Sequence, residues 1–347
     1  MTGRRGDGHR LVRWLWTGRR FDARLARASL TPFSALWRIG ITVRNRGFDR
    51  GWIPVRNLPL PAVAVGNLTV GGSGKTPIAS WIARRFAAAG ARPGILLRGY
   101  GSDETRLHQH AVPEAVVVAD PDRIRGGEEA VKGGATVLVL DDAFQRRDVR
   151  RDLNLLLVSA EAMRAVRWCL PAGPWREPLE SASRADLAIV TRKRADRTTA
   201  AAVAEELASL VRGPIGIVHL GVSRYAGMVT GRTVESSGLA GRRVVAASAI
   251  ADPEGFIAQT KATGAHVQPA TWRDHHEFQD QDVAWLAQAA RKADYLVLTE
   301  KDAVKLRDRW PASIPEPLVA VLAVEWEQGE TEIGAALDAL VSRASRR

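Results

Sequence analysis

Residues 66–76 read GNLTVGGSGKT, from Gly66 to Thr76. The apolar run Pro61-Ala62-Val63-Ala64-Val65 precedes them and a helix-like stretch, Ile78–Ala89, follows. A buried strand, a glycine-rich turn and a helix start, in that order, are the setting a phosphate-binding loop needs. Gly71, Gly72 and Gly74 let backbone N–H groups turn inward around oxyanions, and the helix N-terminus adds partial positive charge. The nucleotide would lie against Thr69, Val70, Gly71, Gly72, Ser73, Gly74, Lys75 and Thr76. Lys75 would reach the outer phosphates and the Thr76 hydroxyl a magnesium ion. Thr69 stands where the general GxxxxGK[ST] pattern has its first glycine.

Outward from this loop, short apolar runs alternate with helix-like stretches. Strands are expected at Ala62–Val65, Gly94–Leu97, Ala115–Ala119, Thr136–Leu140, Leu153–Val158 and Asp186–Thr191. Helices are expected at Thr76–Ala89, Arg123–Lys132, Glu161–Trp168 and Thr198–Val211. Continuous Val/Leu/Ile runs suit strands covered on both faces, hence an α/β fold with a P-loop NTPase-like, doubly wound and mainly parallel sheet. Asp141 and Asp142 close the run Ala135–Leu140, and a carboxylate at such a strand end holds magnesium in P-loop enzymes. Alone, an Asp after a strand is a turn or a cap. Beside the loop, the metal reading gains weight.

Gly213–Ser223 reads as a hinge leading into a smaller α/β lobe, with strands at Val244–Ala249, Tyr295–Thr299 and Leu318–Val324. The resulting division is a basic segment 1–56, a nucleotide-binding domain 57–215, the smaller lobe 216–328 and a C-terminal helix within 329–347.

The chain has 347 residues and a formal net charge of +12. Residues 1–56 hold thirteen arginines, no lysine and three aspartates, so ten of the twelve net charges lie there. A single cysteine, Cys169, excludes a disulfide framework, and without a signal peptide it suits a reducing compartment. Trp14, Trp16, Phe21, Leu25, Phe33, Leu36, Trp37 and Ile41 interleave with the arginines. Such a segment fits a helix lying on an anionic membrane or one packed on the body with a basic outer face. A nucleic-acid arm is the third alternative. Pro32 is expected to divide it into two helices.

Four further clusters bear on chemistry. Asp103-Glu104 follow Arg98-Gly99-Tyr100-Gly101 and are either solvated turn residues or a general base for phosphoryl transfer. Asp274-His275-His276-Glu277-Phe278 is the densest titratable cluster. Adjacent histidines cannot both ligate one metal, so it is an exposed loop or an acid-paired histidine from the other lobe. Leu170–Pro178 carries three prolines around Arg176-Glu177 and could hold Arg176 against a phosphate. Thr299–Leu306, TEKDAVKL, reads on its own as a helix N-cap.

In this order VGNLTVGGSGKTP, RGYG, the DE element, VLVLDDAFQ, LPAGPWREP, DPEGF, DHHEF and TEKDAVKL resemble the tetraacyldisaccharide 4'-kinase family, the lipid A 4'-kinases, from about Pro61 to Leu306. The threonine at position 69 is that family's own form of the loop. The resemblance implies transfer of a phosphoryl group from ATP, with Mg2+, to the 4'-hydroxyl of a tetraacyldisaccharide 1-phosphate. Residue by residue it implies Asp103 as base, His275 as its support, Lys75 and Asp142 in catalysis, and Thr76, Asp141 and Asp142 at the metal. Glu104, Arg176 and Glu177 match further active-site positions. It also favours the membrane reading of the basic segment: a monomer on the anionic cytoplasmic face of the inner membrane of a Gram-negative-type bacterium, with no nucleic-acid partner. The family's longer stretch before its DE element is short here, its DDG-x-QH is Asp141-Asp142-Ala143-Phe144-Gln145-Arg146, and GNP is Ala251-Asp252-Pro253, which marks a divergent member. A P-loop kinase acting on a soluble small molecule is the alternative.

Overall fold

The computed structural model describes residues 7–18, 20–99, 102–164 and 166–344. Residues 1–6 of the basic segment, the Tyr100-Gly101 half of RGYG, Ala165 and residues 345–347 lie outside the described residues. The chain divides into two compact units, one of residues 1–100, 108–219 and 326–347, the other of residues 101–107 and 220–325.

The larger unit begins with α1 (Asp7–Thr17) and α2 (Phe21–Asp49). Then come β1 (Arg56–Asn57), β2 (Ala62–Asn67), α3 (Lys75–Ala88), β3 (Pro93–Leu97) and the end of α4 (Ser102–Ala111), from residue 108 on. They are followed by β4 (Val116–Ala119), α5 (Arg123–Lys132), β5 (Val137–Leu140), β6 (Val149–Arg150), β7 (Leu153–Ser159), α6 (Ala160–Met163), β8 (Leu187–Arg192), α7 (Arg197–Ala208) and the first residues of β9 (Ile215–Gly227), up to His219. Its sheet runs β9-β8-β7-β2-β5-β3-β4, and the neighbouring pairs are parallel. β2, β3 and β5 are buried along their whole length, which is why their sequences are unbroken apolar runs. From β2 the chain continues to β3 on one side, while β7 lies on the other. That is a topological switch point, where a doubly wound sheet opens a crevice beyond its carboxyl ends.

The smaller unit contains β10 (Thr233–Val234), β11 (Arg243–Ser248), α8 (Pro253–Ala262), β12 (His266–Thr271), α9 (Asp280–Lys292), β13 (Tyr295–Thr299), α10 (Glu300–Leu306) and most of β14 (Leu318–Gln328). β12, β11, β13 and β14 are parallel neighbours in that order. Its core holds Val245, Leu286, Leu296 and Leu298. The terminal helix α11 (Glu330–Ala344) belongs to the larger unit, where Asp338 accepts from Arg85 of α3 at 2.7 and 2.8 Å.

Two expectations are corrected, and a third keeps its place with a different backbone. Pro32 does not divide the basic segment: α2 runs through it from Phe21, after α1 has ended at Thr17. Proline inside a helix costs about 3 kcal/mol. Anchoring offsets this, since the Ser34 hydroxyl donates to Cys169 O and accepts from Ala172 N, and Trp37 donates to Arg176 O. Gly213–Ser223, expected as a hinge, holds the division between the two units at 219/220, but its backbone is mostly strand β9, because Ile215, Ile217, Val218, Leu220 and Val222 supply β-formers among the glycines. The helix expected at Glu161–Trp168 stops at Met163. Beyond it, Trp168 O and Cys169 are drawn into pairing with Trp175.

Candidate active site

In the larger unit, the loop after β2 is shaped by backbone. Gly71 and Gly74 have φ of 122° and 83°, conformations that side-chain-bearing residues avoid. Gly66 is required for another reason: a Cβ there would meet Phe144 N at 2.6 Å. The rigid 170–178 segment braces the outer side of the loop. Val70 N donates to Pro174 O at 2.8 Å, Arg176 N to Leu68 O at 2.7 Å, and Thr69 bridges Trp175. From β8, Thr191 Oγ1 donates to Ser73 O and Lys193 Nζ to Gly72 O, both at 3.0 Å. Glu161 fixes that second brace by accepting from the backbone N–H groups of Lys193, Arg194 and Ala195 at 2.8, 2.8 and 3.0 Å. Burial pushes the Glu161 carboxyl up, but these three donors bring it down to about 2.

Lys75 and Thr76 open α3 below the loop, and Lys75 Nζ lies 3.7 Å from Asp142 Oδ1. Asp142 has a left-handed backbone, φ 50°, and Arg176 NH1 reaches its two carboxylate oxygens at 3.1 and 3.3 Å. The neighbouring Asp141 is buried and faces His108, whose Nε2 lies 3.1 Å from Oδ2. Burial raises the Asp141 carboxyl, but the His108 bond and the charge of Lys75 outweigh it and hold the group below its ordinary value. Two buried oxygens in this region, Asp141 Oδ1 and Ser73 Oγ, have no hydrogen-bond partner within the protein. Glu177 is fully buried and holds structure together, pairing with Arg184 at 2.8 Å and Asn45 at 3.0 Å.

Among the described residues, no cluster of three or more His, Cys, Asp or Glu side chains could enclose a metal. Magnesium needs none: it takes one or two carboxylates and fills its shell with phosphates and water. Thr76, Asp141 with its unpartnered oxygen, and Asp142 fit that ion.

The smaller unit has its own titratable centre. The first turns of α4 group with this unit, so Asp103 and His275 belong to the same lobe, contrary to the cross-lobe pairing expected. Asp103 is buried, and its Oδ2 lies 3.2 Å from His275 Nδ1, 3.4 Å from Lys305 Nζ and 3.7 Å from Lys301 Nζ. Burial raises the Asp103 carboxyl, but His275 and the two lysines drive it well below the usual carboxylate range. In return the Asp103 carboxylate raises the His275 imidazole above its ordinary value, against burial and Lys301. Glu104, adjacent on α4, is partly buried.

The two adjacent histidines divide the work. His275 has a left-handed backbone, φ 56°. Its neighbour His276 anchors the turn: Nε2 meets Asp282 Oδ2 at 2.9 Å, its carbonyl accepts from Lys305 at 3.0 Å, and its ring stacks on Trp272. Strain of this kind persists only where surroundings enforce it.

Reading the residues alone missed His108, Lys301, Lys305 and Glu161. The lysines could have been found, since they sit four apart on one helix face in TEKDAVKL. His108 carries no such signal, because its partner is 33 positions away.

A family model described as Tetraacyldisaccharide-1-P 4'-kinase matches residues 26–110 and 101–342. Tetraacyldisaccharide 4'-kinase of Anaeromyxobacter sp. is 35% identical, covering 92% of each chain. That of Syntrophus aciditrophicus is 31% identical, covering 89% of this chain and 92% of its own. A crystal structure of LpxK from Aquifex aeolicus in complex with ATP superimposes with a TM-score of 0.71 at 28% identity, covering 92% of this chain and 99% of that one.

Proposed function

Because this chain belongs to the tetraacyldisaccharide-1-P 4'-kinase family, we propose that it transfers the γ-phosphoryl group of ATP to the 4'-hydroxyl of a tetraacyldisaccharide 1-phosphate. The observation that carries this reading is the braced Gly71–Thr76 loop in a chain aligned over 92% of its length with a 4'-kinase.

The reaction forms a bond from the sugar oxygen to the γ-phosphorus and breaks the bond between that phosphorus and the β–γ bridging oxygen, releasing ADP. Phosphoryl transfer passes through a loose transition state, so positioning and charge neutralisation matter more than covalent help. The loop N–H groups hold the phosphates and Lys75 offsets their charge. Thr76, Asp141 and Asp142 would hold magnesium, which would supply neutralisation of the phosphate charge. Arg176 pairs with Asp142 and is a phosphate ligand by chemistry. Asp103 accepts the hydroxyl proton. Its low pKa makes it a weak base that orients the hydroxyl and takes the proton late, with His275 stabilising the charged carboxylate.

The acceptor's acyl chains require a lipid surface, and α2 supplies one. Phe21, Leu25, Leu36, Ile39 and Val43 are exposed at helical spacing, among arginines. No helix among the described residues is long and apolar enough to cross a membrane. The proposed location is therefore peripheral, on the anionic cytoplasmic face of the inner membrane.

The test is transfer of γ-labelled phosphate from ATP to tetraacyldisaccharide 1-phosphate in mixed micelles. Labelled lipid bisphosphate is expected. Labelling only of a soluble acceptor, with lipid and magnesium in excess, would refute the assignment. Deleting residues 1–40 should move the protein out of the membrane fraction.

A further inference from the structure

We propose that His108 is the positioning residue of Asp141, orienting that carboxylate so that its second oxygen serves the magnesium ion of the nucleotide. This rests on the reading of the Gly71–Thr76 loop as a magnesium-ATP site.

His108 is fully buried, and both of its ring nitrogens are engaged. Nδ1 lies 2.9 Å from the Ser80 hydroxyl on α3, and Nε2 lies 3.1 Å from Asp141 Oδ2 at the end of β5. An ionised carboxylate only accepts hydrogen bonds. Nε2 therefore carries the proton given to Asp141, and Nδ1 pairs with the Ser80 hydroxyl. Ser80 is itself buried, in the second turn of the helix that begins with Lys75 and Thr76. The chain Ser80–His108–Asp141 thus ties the carboxylate to the same helix that carries the expected threonine ligand.

His108 uses one carboxylate oxygen and leaves the other unspent. Asp141 Oδ1 is buried without a partner. A buried, unpaired carboxylate oxygen is costly, and a cation or its water relieves that cost. Asp142 lacks this arrangement, since both of its oxygens face Arg176. Groups that orient a metal-binding side chain typically govern metal affinity by about 10- to 100-fold.

The experiment measures the dissociation constant of the methylene-bridged ATP analogue for the full-length protein in detergent, with magnesium and with EDTA. The ratio of the two constants reports the metal's contribution. His108→Ala should lower that ratio by about 10-fold or more, leave the EDTA constant within about twofold, and be partly rescued by His108→Gln, whose amide can donate to Oδ2. Should His108→Ala fail to fold, Ser80→Ala removes only the outer bond and should lower the ratio severalfold. An unchanged ratio in the folded variants, or an equal loss with EDTA and with magnesium, overturns the proposal. If the wild-type protein binds no analogue under either condition, the magnesium-ATP reading falls, and this inference with it.

Discussion

The loop at Gly71–Thr76 and the cluster around Asp103 are both candidate parts of one reaction, yet they are built in opposite ways. The loop is a contiguous string whose work is done by backbone N–H groups, with glycines at φ 122° and 83°. The Asp103 cluster is made of side chains, drawing His275 and Lys301 from 172 and 198 positions further along the chain. A backbone-built site needs local sequence and is written as a motif. A side-chain-built site needs only that the fold bring charges together, so its members look like ordinary polar residues until the chain is folded.

The comparison can be broken by substitution. The largest effect is expected for Lys75→Ala, which should lower kcat by roughly 10³-fold or more by removing charge from the transferring phosphates. Steady-state kinetics in micelles checks this, and a loss below tenfold would move the loop away from the chemistry. Asp103→Asn should lower kcat by about 10²-fold or more and leave ATP affinity within about twofold, as calorimetric binding would show. Full activity would mean that the cluster around Asp103 is structural. Between these two variants, loss of charge at the transferring phosphates and loss of the proton acceptor separate along the line dividing the two regions.

A smaller effect sharpens the electrostatic side. The Asp103 carboxylate raises the His275 pKa. That pairing contributes fully below the unfolded histidine value of about 6.5 and fades as pH rises through the higher folded value. Asp103→Asn should therefore shift the His275 NMR titration to lower pH, and an unmoved midpoint would refute the coupling. The smallest effect belongs to the brace behind the loop. Glu161→Gln should cost about 1–3 kcal/mol in denaturant unfolding at pH 7. With a folded pKa of about 2 against about 4.3 when unfolded, the carboxylate's contribution is intact above the unfolded value. It is lost as pH falls through about 2, so wild type and variant should converge in strong acid.

Legibility in the sequence followed the range of the interactions. The buried strands β2, β3, β5 and β7 were readable because burial on both faces demands continuous apolar runs. Pro32 misled because its local rule was outweighed by bonds from α2 to residues more than 130 positions away. The glycines near residue 216 hid β9, whose β-formers pair with β8. Asp141 and Asp142 looked interchangeable as neighbours, but the fold sends one to His108 and the other to Arg176.

By itself the sequence determined the strand–loop–helix at 62–88, the parallel α/β class and the order of the family's motifs, because each depends on residues close together or on periodic burial. Only the tertiary structure decided which acid is tied to His108, and that Lys301 and Lys305 hold the charge of Asp103. Those outcomes depend on distances between remote segments, and electrostatic energy is set by distance and burial, which spacing along a chain does not record.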